Sequence, residues 1–266
     1  MTMSIIETIK ERNSVRSYSG ERLSSDLITQ IKNYTKQLTA PFAARARIEL
    51  IDAKLGDEPV KLGTYGVISG ASHFLALIID KNDPMAETSG GYIFEQAILY
   101  CTALKLGTCW LGGTFSAKDF SKQIHLKEND KLTIISPVGY KREKKRLIDS
   151  IMRTGAGSNK RKAFETLFFD ENFDTPYGQN LTYSIPLEMI RLAPSATNKQ
   201  PWRVLKEGNF FHFYHIPNRF SLIDLGIALC HFEQTCKELS LAGEFKILDT
   251  VPMTKDLKYQ ISWIVG

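Results

Sequence analysis

Three short stretches hold the residue types that could do chemistry. Ala193-Pro194-Ser195-Ala196-Thr197-Asn198-Lys199-Gln200-Pro201-Trp202 gathers hydroxyl and amide side chains in one loop, and Pro194 and Pro201 restrict φ within it. Such a loop can capture a ligand; taken alone it also reads as a turn between a helix and a strand. Arg12-Asn13-Ser14-Val15-Arg16-Ser17-Tyr18 sets two arginines around a serine at alternating positions, so an extended backbone points Arg12, Ser14 and Arg16 the same way. That arrangement can clamp a phosphate or carboxylate, or leave two solvated arginines after a helix. Thr108-Cys109-Trp110-Leu111-Gly112-Gly113-Thr114-Phe115 offers paired glycines where a flat ligand could lie against main-chain N–H groups, or where the chain simply turns.

Other chemistries find less support. Cys101, Cys109, Cys230 and Cys236 lack the two-residue spacing of metal and redox motifs, so free thiols are expected. His212 and His215 lie three apart in a strand-like run and so face opposite ways, which leaves no expected metal site. The net charge of +5 is concentrated in Lys141 to Arg146 and in Lys160-Arg161-Lys162. These runs read as solvated surface or an anion site; no aromatic-interleaved basic stretch points to nucleic acid. No apolar stretch reaches the ~18 residues of a membrane span, and Met1 to Arg12 is amphipathic rather than a signal sequence. A cytoplasmic protein is expected, and 266 residues with 43% apolar content can build a large core.

The elements that must position these stretches follow from periodicity. Ile5, Ile6 and Ile9 predict a helix over 4–12, and a Ser24 or Ser25 cap predicts another through about Gln37. Ile48 to Ile51 reads as a strand, and the continuous apolar run Phe74 to Ile79 as a buried, central one. A long helical pattern follows Gly90-Gly91 and stops at Gly107; being apolar all round, it is expected between layers. A short polar helix near Ala117 to Gln123 and a strand over Leu132 to Val138 lead to a Gly, Thr and Ser-rich linker at Met152 to Ser158.

After that linker the order repeats. Arg161-Lys162-Ala163-Phe164-Glu165, a helix over Ile185 to Leu192, the polar loop, a strand over Phe210 to Tyr214 and a long helix from Leu222 to Ala242 ending at Gly243 mirror the first half. The chain thus reads as two diverged copies of one unit, residues 1–150 and 151–266, forming one integrated body. Their losses are complementary. The first copy keeps paired arginines and Gly112-Gly113, but Phe42-Ala43-Ala44 follows its Ala40-Pro41; the second keeps the polar loop, but its arginine stretch is reduced. One composite site between the halves is the economical reading.

Together these motifs resemble the nitroreductase family of FMN-dependent oxidoreductases, in which an Arg-x-Ser-x-Arg/Lys stretch, a Pro-Ser-x-x-Asn-x-Gln-Pro-Trp loop and a Gly-Thr-Cys-Trp-Leu-Gly turn recur. They stand here at Arg12 to Arg16, Pro194 to Trp202 and Gly107 to Gly113. The chain is similar to the subgroup, of the TM nitroreductase type, that fuses two units into a single-chain pseudo-dimer. The resemblance implies an α+β, nitroreductase-like fold of mostly antiparallel sheets flanked by helices, and a monomer acting as a pseudo-dimer.

It also implies FMN as cofactor and NADH or NADPH as electron donor. Hydride would pass through flavin N5 in a ping-pong cycle to an electron-poor acceptor such as a nitroaromatic or quinone. An FMN-binding carrier or sensor without turnover is the alternative. No catalytic side chain is implied, since N5 is the reactive centre. Arg12, Asn13 and Ser14 would hold phosphate and ribityl chain, with Lys144 or Arg146 adding charge. Arg16 would approach the N1–O2 edge, and the N–H of Gly112 or Gly113, beside Leu111, would reach N5. Pro194, Ser195, Ala196, Thr197, Asn198 and Gln200 would close the site from the other half, while Tyr65 and Gly66 line the pyrimidine end.

Overall fold

The computed structural model describes residues 3–53, 62–143 and 160–266. The linker expected at Met152 to Ser158 lies outside them, as do Lys144 and Arg146. In chain order the elements are α1 (Ile5–Glu11), α2 (Ser25–Gln37), β1 (Ala46–Asp52), β2 (His73–Asp80), α3 (Ala86–Ala103), β3 (Gly107–Thr108), α4 (Ala117–Ser121) and β4 (Asp130–Gly139). A second series follows: β5 (Phe168–Asp170), β6 (Asn172–Pro176), α5 (Ser184–Leu192), β7 (Trp202–Glu207), β8 (Phe210–His215), α6 (Ser221–Glu238), β9 (Gly243–Lys246) and β10 (Lys258–Val265).

The strands form two sheets, ordered β1-β2-β4-β3 and β6-β5-β7-β8-β10-β9. Every named pairing is antiparallel except that of β5 with β7. Strand β2 is central, as its unbroken apolar run predicts, because both faces are covered. Leu75, Leu77 and Ile79 enter the main core, whereas Phe74, Ala76 and Ile78 alternate into a smaller cluster with Phe120 and Ile135. The main core is continuous from the first sheet through the helices to Trp202, Phe211, Phe213 and Trp263 of the second.

Helix α1 starts at a capping box in which Ser4 and Glu7 satisfy each other's backbone N–H groups. Helix α2 starts on Ser24, whose side chain accepts from Leu27 N–H. The two long helices differ from the sequence reading at their ends. Helix α3 begins at Ala86, so Gly90 and Gly91 lie inside it rather than before it. Lys105, at φ 62°, takes the left-handed position after the helix, and Gly107 belongs to β3. Likewise α6 ends at Glu238, Ser240 turns left-handed at φ 58°, and Gly243 opens β9.

The interior glycines have a packing cause. A Cβ on Gly91 would sit 2.2 Å from the Ile223 carbonyl oxygen, and one on Gly226 would sit 2.1 Å from that of Thr88. Helices α3 and α6 therefore cross backbone on backbone, which only glycine permits. That close approach outweighs glycine's cost of roughly 1 kcal/mol in a helix interior.

Candidate functional site

Arg12 ends α1 by turning extended, and the chain then runs along the edge of the first sheet. Val15 N–H donates to Thr108 O at 2.8 Å and Tyr18 N–H to Ser69 O at 2.8 Å. Gly107 allows this docking, because a Cβ there would press on the Val15 side chain at 2.9 Å. The extended backbone turns Arg12, Ser14 and Arg16 toward one cavity of about 670 Å3, the size range of small-molecule sites.

The opposite wall is the polar loop. Pro194, Ser195, Ala196, Thr197 and Asn198 line the same cavity, as do Trp110, Gly112, Phe220 and Asp224. Residues near 12 and near 196 are thus neighbours in space. The loop is strained: Thr197, Asn198 and Gln200 have φ of 51°, 56° and 46°. Non-glycine residues adopt this left-handed region at a cost, and for the β-branched Thr197 it is a genuine outlier.

Side-chain bonds hold that geometry. Ser195 Oγ accepts from Gln200 N–H at 2.9 Å. Gln200 is fully buried; its Oε1 accepts from Lys162 N–H at 2.7 Å and its Nε2 donates to Arg191 O at 3.0 Å. Asn198 Oδ1 accepts from Arg161, and Asn198 Nδ2 donates to Lys160 O at 2.9 Å. Gln200 is therefore a peg beneath the loop, whereas Ser195 and Asn198 reach the cavity wall.

Two residues outside the predicted flavin contacts complete the charge pattern: Arg161, from the basic run read as solvated surface or an anion site, and Asp224. Arg161 lines the cavity, where burial and the field of Arg12 lower its guanidinium to about 10. Two arginines from distant parts of the chain thus repel one another across a space that an anion would occupy favourably. Asp224 is 3% exposed; its Oδ1 accepts from Ala196 N–H at 3.0 Å, while Oδ2 has no hydrogen-bond partner among the described residues. Burial raises its carboxyl to about 7, against the lowering effects of the Ala196 hydrogen bond and Lys199.

Beneath the cavity lies a buried polar cluster. Trp110 Nε1 donates to Glu95 Oε2 at 2.8 Å, and His231 Nε2 lies 2.9 Å from Glu95 Oε1. His231 Nδ1 is 2.8 Å from the Met189 carbonyl, which can only accept, so Nδ1 carries a proton. Arg12 Nε, otherwise without a hydrogen-bond partner, is 3.8 Å from Glu95 Oε1. Glu95 thereby ties the first arginine stretch to α6.

The remaining sequence-predicted residues stand as follows. Asn13 lines the cavity and donates to Glu11 O at 3.1 Å. Gly112 lies close against the Phe220 ring, 2.9 Å from any Cβ it might carry, while Gly113 is exposed outside the wall. Leu111 is buried in the smaller apolar cluster, bridged to Ile135 by main-chain hydrogen bonds. Tyr65 and Gly66 form a turn away from the cavity, with the Tyr65 side chain largely exposed. All four cysteines are free and buried, and burial pushes the Cys101 thiol up to about 12.

The chain and its fold match known proteins. Residues 4–236 fit the family model described as "Putative TM nitroreductase", and the chain belongs to that family. A structure described as a "putative nitroreductase" from Thermotoga maritima covers 100% of this chain and 95% of its own, at 21% identity and TM-score 0.64; the fold is shared. A "Nitroreductase with Bound FMN" from Bacteroides fragilis covers 55% of this chain and 92% of its own, at 20% identity and TM-score 0.40. An "FMN-dependent Nitroreductase" from Clostridium difficile covers 52% and 88% respectively, at 16% identity and TM-score 0.41. No curated protein matches the chain.

Proposed function

We propose that the cavity holds FMN and that the protein is an NAD(P)H oxidoreductase of nitroreductase type, reducing an electron-poor acceptor such as a nitroaromatic or quinone. The observation that carries this reading is the meeting of Arg12, Asn13, Ser14 and Arg16 with Pro194 to Asn198 around one cavity. The residues suit the group. Arg12 and Arg161 supply cationic donors for a phosphate. Trp110 and Phe220 supply apolar walls for a flat ring.

Bound FMN would supply the hydride chemistry; the chain's part is to bind, orient and shield it. Arg12 and Ser14 would hold the phosphate and ribityl end. Arg16 would stand by the pyrimidine edge, where a cation favours the anionic reduced ring. Ser195, Thr197 and Asn198 would fix the ligand from the opposite wall. Lys144 or Arg146 would add phosphate contacts, and Gln200 would act through the loop it supports.

This reading includes two diverged halves, 1–150 and 151–266, acting as a pseudo-dimer within a cytoplasmic monomer. In its support, α3 and α6 are both 18 residues long and cross at a glycine that is the sixth residue of each. No described helix is long and apolar enough to cross a membrane. The test is the visible spectrum after FMN addition and desalting, followed by anaerobic NADH or NADPH. Retained yellow colour that bleaches supports the oxidoreductase. Retained colour that never bleaches refutes turnover in favour of a carrier or sensor, and no retained flavin refutes the reading outright.

A further inference from the structure

Asp224 is the one cavity-lining carboxylate of the described residues that is almost wholly buried, and none of the described residues satisfies its second oxygen. Its first oxygen is committed to Ala196 N–H, which fixes the carboxyl plane and leaves Oδ2 buried and unpartnered within a residue of the cavity wall. A buried polar atom without a partner is costly, and the cost is removed when a ligand supplies one. We propose that Asp224 is a ligand-binding acid: in its neutral form it donates the Oδ2 proton in a hydrogen bond to an uncharged acceptor atom, a carbonyl oxygen or imine nitrogen, of the bound heteroaromatic ring.

The proposal rests on the flavin reading above and assigns to this chain a donor that neither the arginines nor the polar loop provides. The arginines bind whatever is anionic, whereas a neutral acid selects for an uncharged acceptor. The surroundings support the neutral form. Burial dominates, and the carboxyl is raised to about 7 despite Lys199 on the same loop. The other charged groups of the cavity are Lys10 and Glu11 on α1, Arg12 and Arg16 beyond it, and Arg161 ahead of β5. The crossing helix brings Thr88, Gly91 and Tyr92 to this turn of α6, and burial keeps the Tyr92 hydroxyl protonated.

FMN affinity is measured by fluorescence quenching at pH 6 and pH 8 for the wild type and Asp224→Asn. The amide can still accept from Ala196 N–H and offers an N–H donor at every pH. About 90% of Asp224 is neutral at pH 6 and about 10% at pH 8, so wild-type affinity falls about tenfold relative to the variant. The phosphate's own ionisation near pH 6 is common to both proteins and cancels in the ratio. Calorimetry of riboflavin binding to the wild type, in buffers of different ionisation enthalpy, gives a second readout that needs no variant. Uptake of about 0.9 proton at pH 8 and about 0.1 at pH 6 is expected. Flavin binding with equal pH ratios in the two proteins, or with no proton uptake at pH 8, overturns the role of Asp224 and leaves the flavin reading intact. Failure of the wild type to bind either flavin at both pH values overturns both.

Discussion

Replacing Glu95 by alanine should be among the most damaging single changes in this protein. The carboxylate is fully buried and accepts from Trp110 Nε1 at 2.8 Å, faces His231 Nε2 at 2.9 Å and stands 3.8 Å from Arg12 Nε. Removing it leaves an indole N–H, an imidazole and a guanidinium that is 7% exposed without a compensating group. Breaking a buried pair in this way costs about 3–5 kcal/mol. At about 2–4 °C per kcal/mol for a chain of this size, the melting temperature should fall by roughly 6–20 °C. Glu95→Gln is the informative partner. Its Oε1 can still accept from Trp110, and its amide N–H can donate to His231 Nε2 while His231 Nδ1–H keeps donating to Met189 O, so its cost should be about 1–2 kcal/mol. Circular dichroism melts, with urea titrations at 25 °C, measure both variants. A Glu95→Ala protein within 1 kcal/mol of wild type, or a glutamine variant as damaged as the alanine one, would refute this account of the cluster.

Four further outcomes are expected. Gly226→Ala should lower stability by about 1–3 kcal/mol, the helix-propensity gain being outweighed by a Cβ placed 2.1 Å from Thr88 O. Gly113→Ala, with nothing within 4 Å of the added carbon, should melt like the wild type in the same assay. Arg161→Ala should weaken FMN binding about 10–100-fold at low salt and flatten its salt dependence, read by fluorescence titration. For Asp224, the folded carboxyl at about 7 lies above the ordinary aspartate value, so its contribution is fully present below about pH 4 and is lost as pH rises to about 7. Asp224→Asn removes that loss, and urea titrations should find it more stable than wild type at pH 8 by up to about 4 kcal/mol, with no gain at pH 4.

Elements with clean periodicity were legible from residues alone. The apolar positions of α1 and α2 and the unbroken run of β2 each report a local environment that the structure reproduces. The long helices were legible in existence but not in extent: Gly90 and Gly91 serve contacts with remote backbone and side chains inside α3, and left-handed Lys105 and Ser240 end the helices ahead of Gly107 and Gly243. Gly243 resembles a helix stop, yet it lies in β9 because the Trp263 ring packs 2.3 Å from where its Cβ would be. In β10, Ile261 and Trp263 do alternate inward, a signal that was present in the sequence and passed over. Of the candidate site, the arginine stretch and the polar loop that line the cavity were singled out in the sequence, whereas Tyr65 and Gly66 lie outside the lining and Asp224 was not named, since an aspartate in a first helical turn ordinarily reads as a favourable dipole partner. Its place between Ile223 and Leu225 in an apolar helix was the available clue. Glu95 and His231 interrupt the apolar pattern of α3 and α6 in the same way.

The helix crossing and the cavity form one mechanical unit. Asp224, which fastens the polar loop through Ala196, lies two residues before Gly226, and Ile223, whose carbonyl meets Gly91, is itself a cavity wall. One turn beyond Gly91, Glu95 contacts both His231 of α6 and Arg12 of the opposite wall. A displacement at the crossing therefore moves the loop and the arginine stretch relative to one another. Close-packed interiors transmit such shifts rather than absorbing them. On this argument Gly226→Ala should weaken FMN binding as well as stability, while Gly113→Ala spares stability. A Gly226→Ala protein that is less stable yet binds FMN with unchanged affinity would show that the cavity is set by its loops alone.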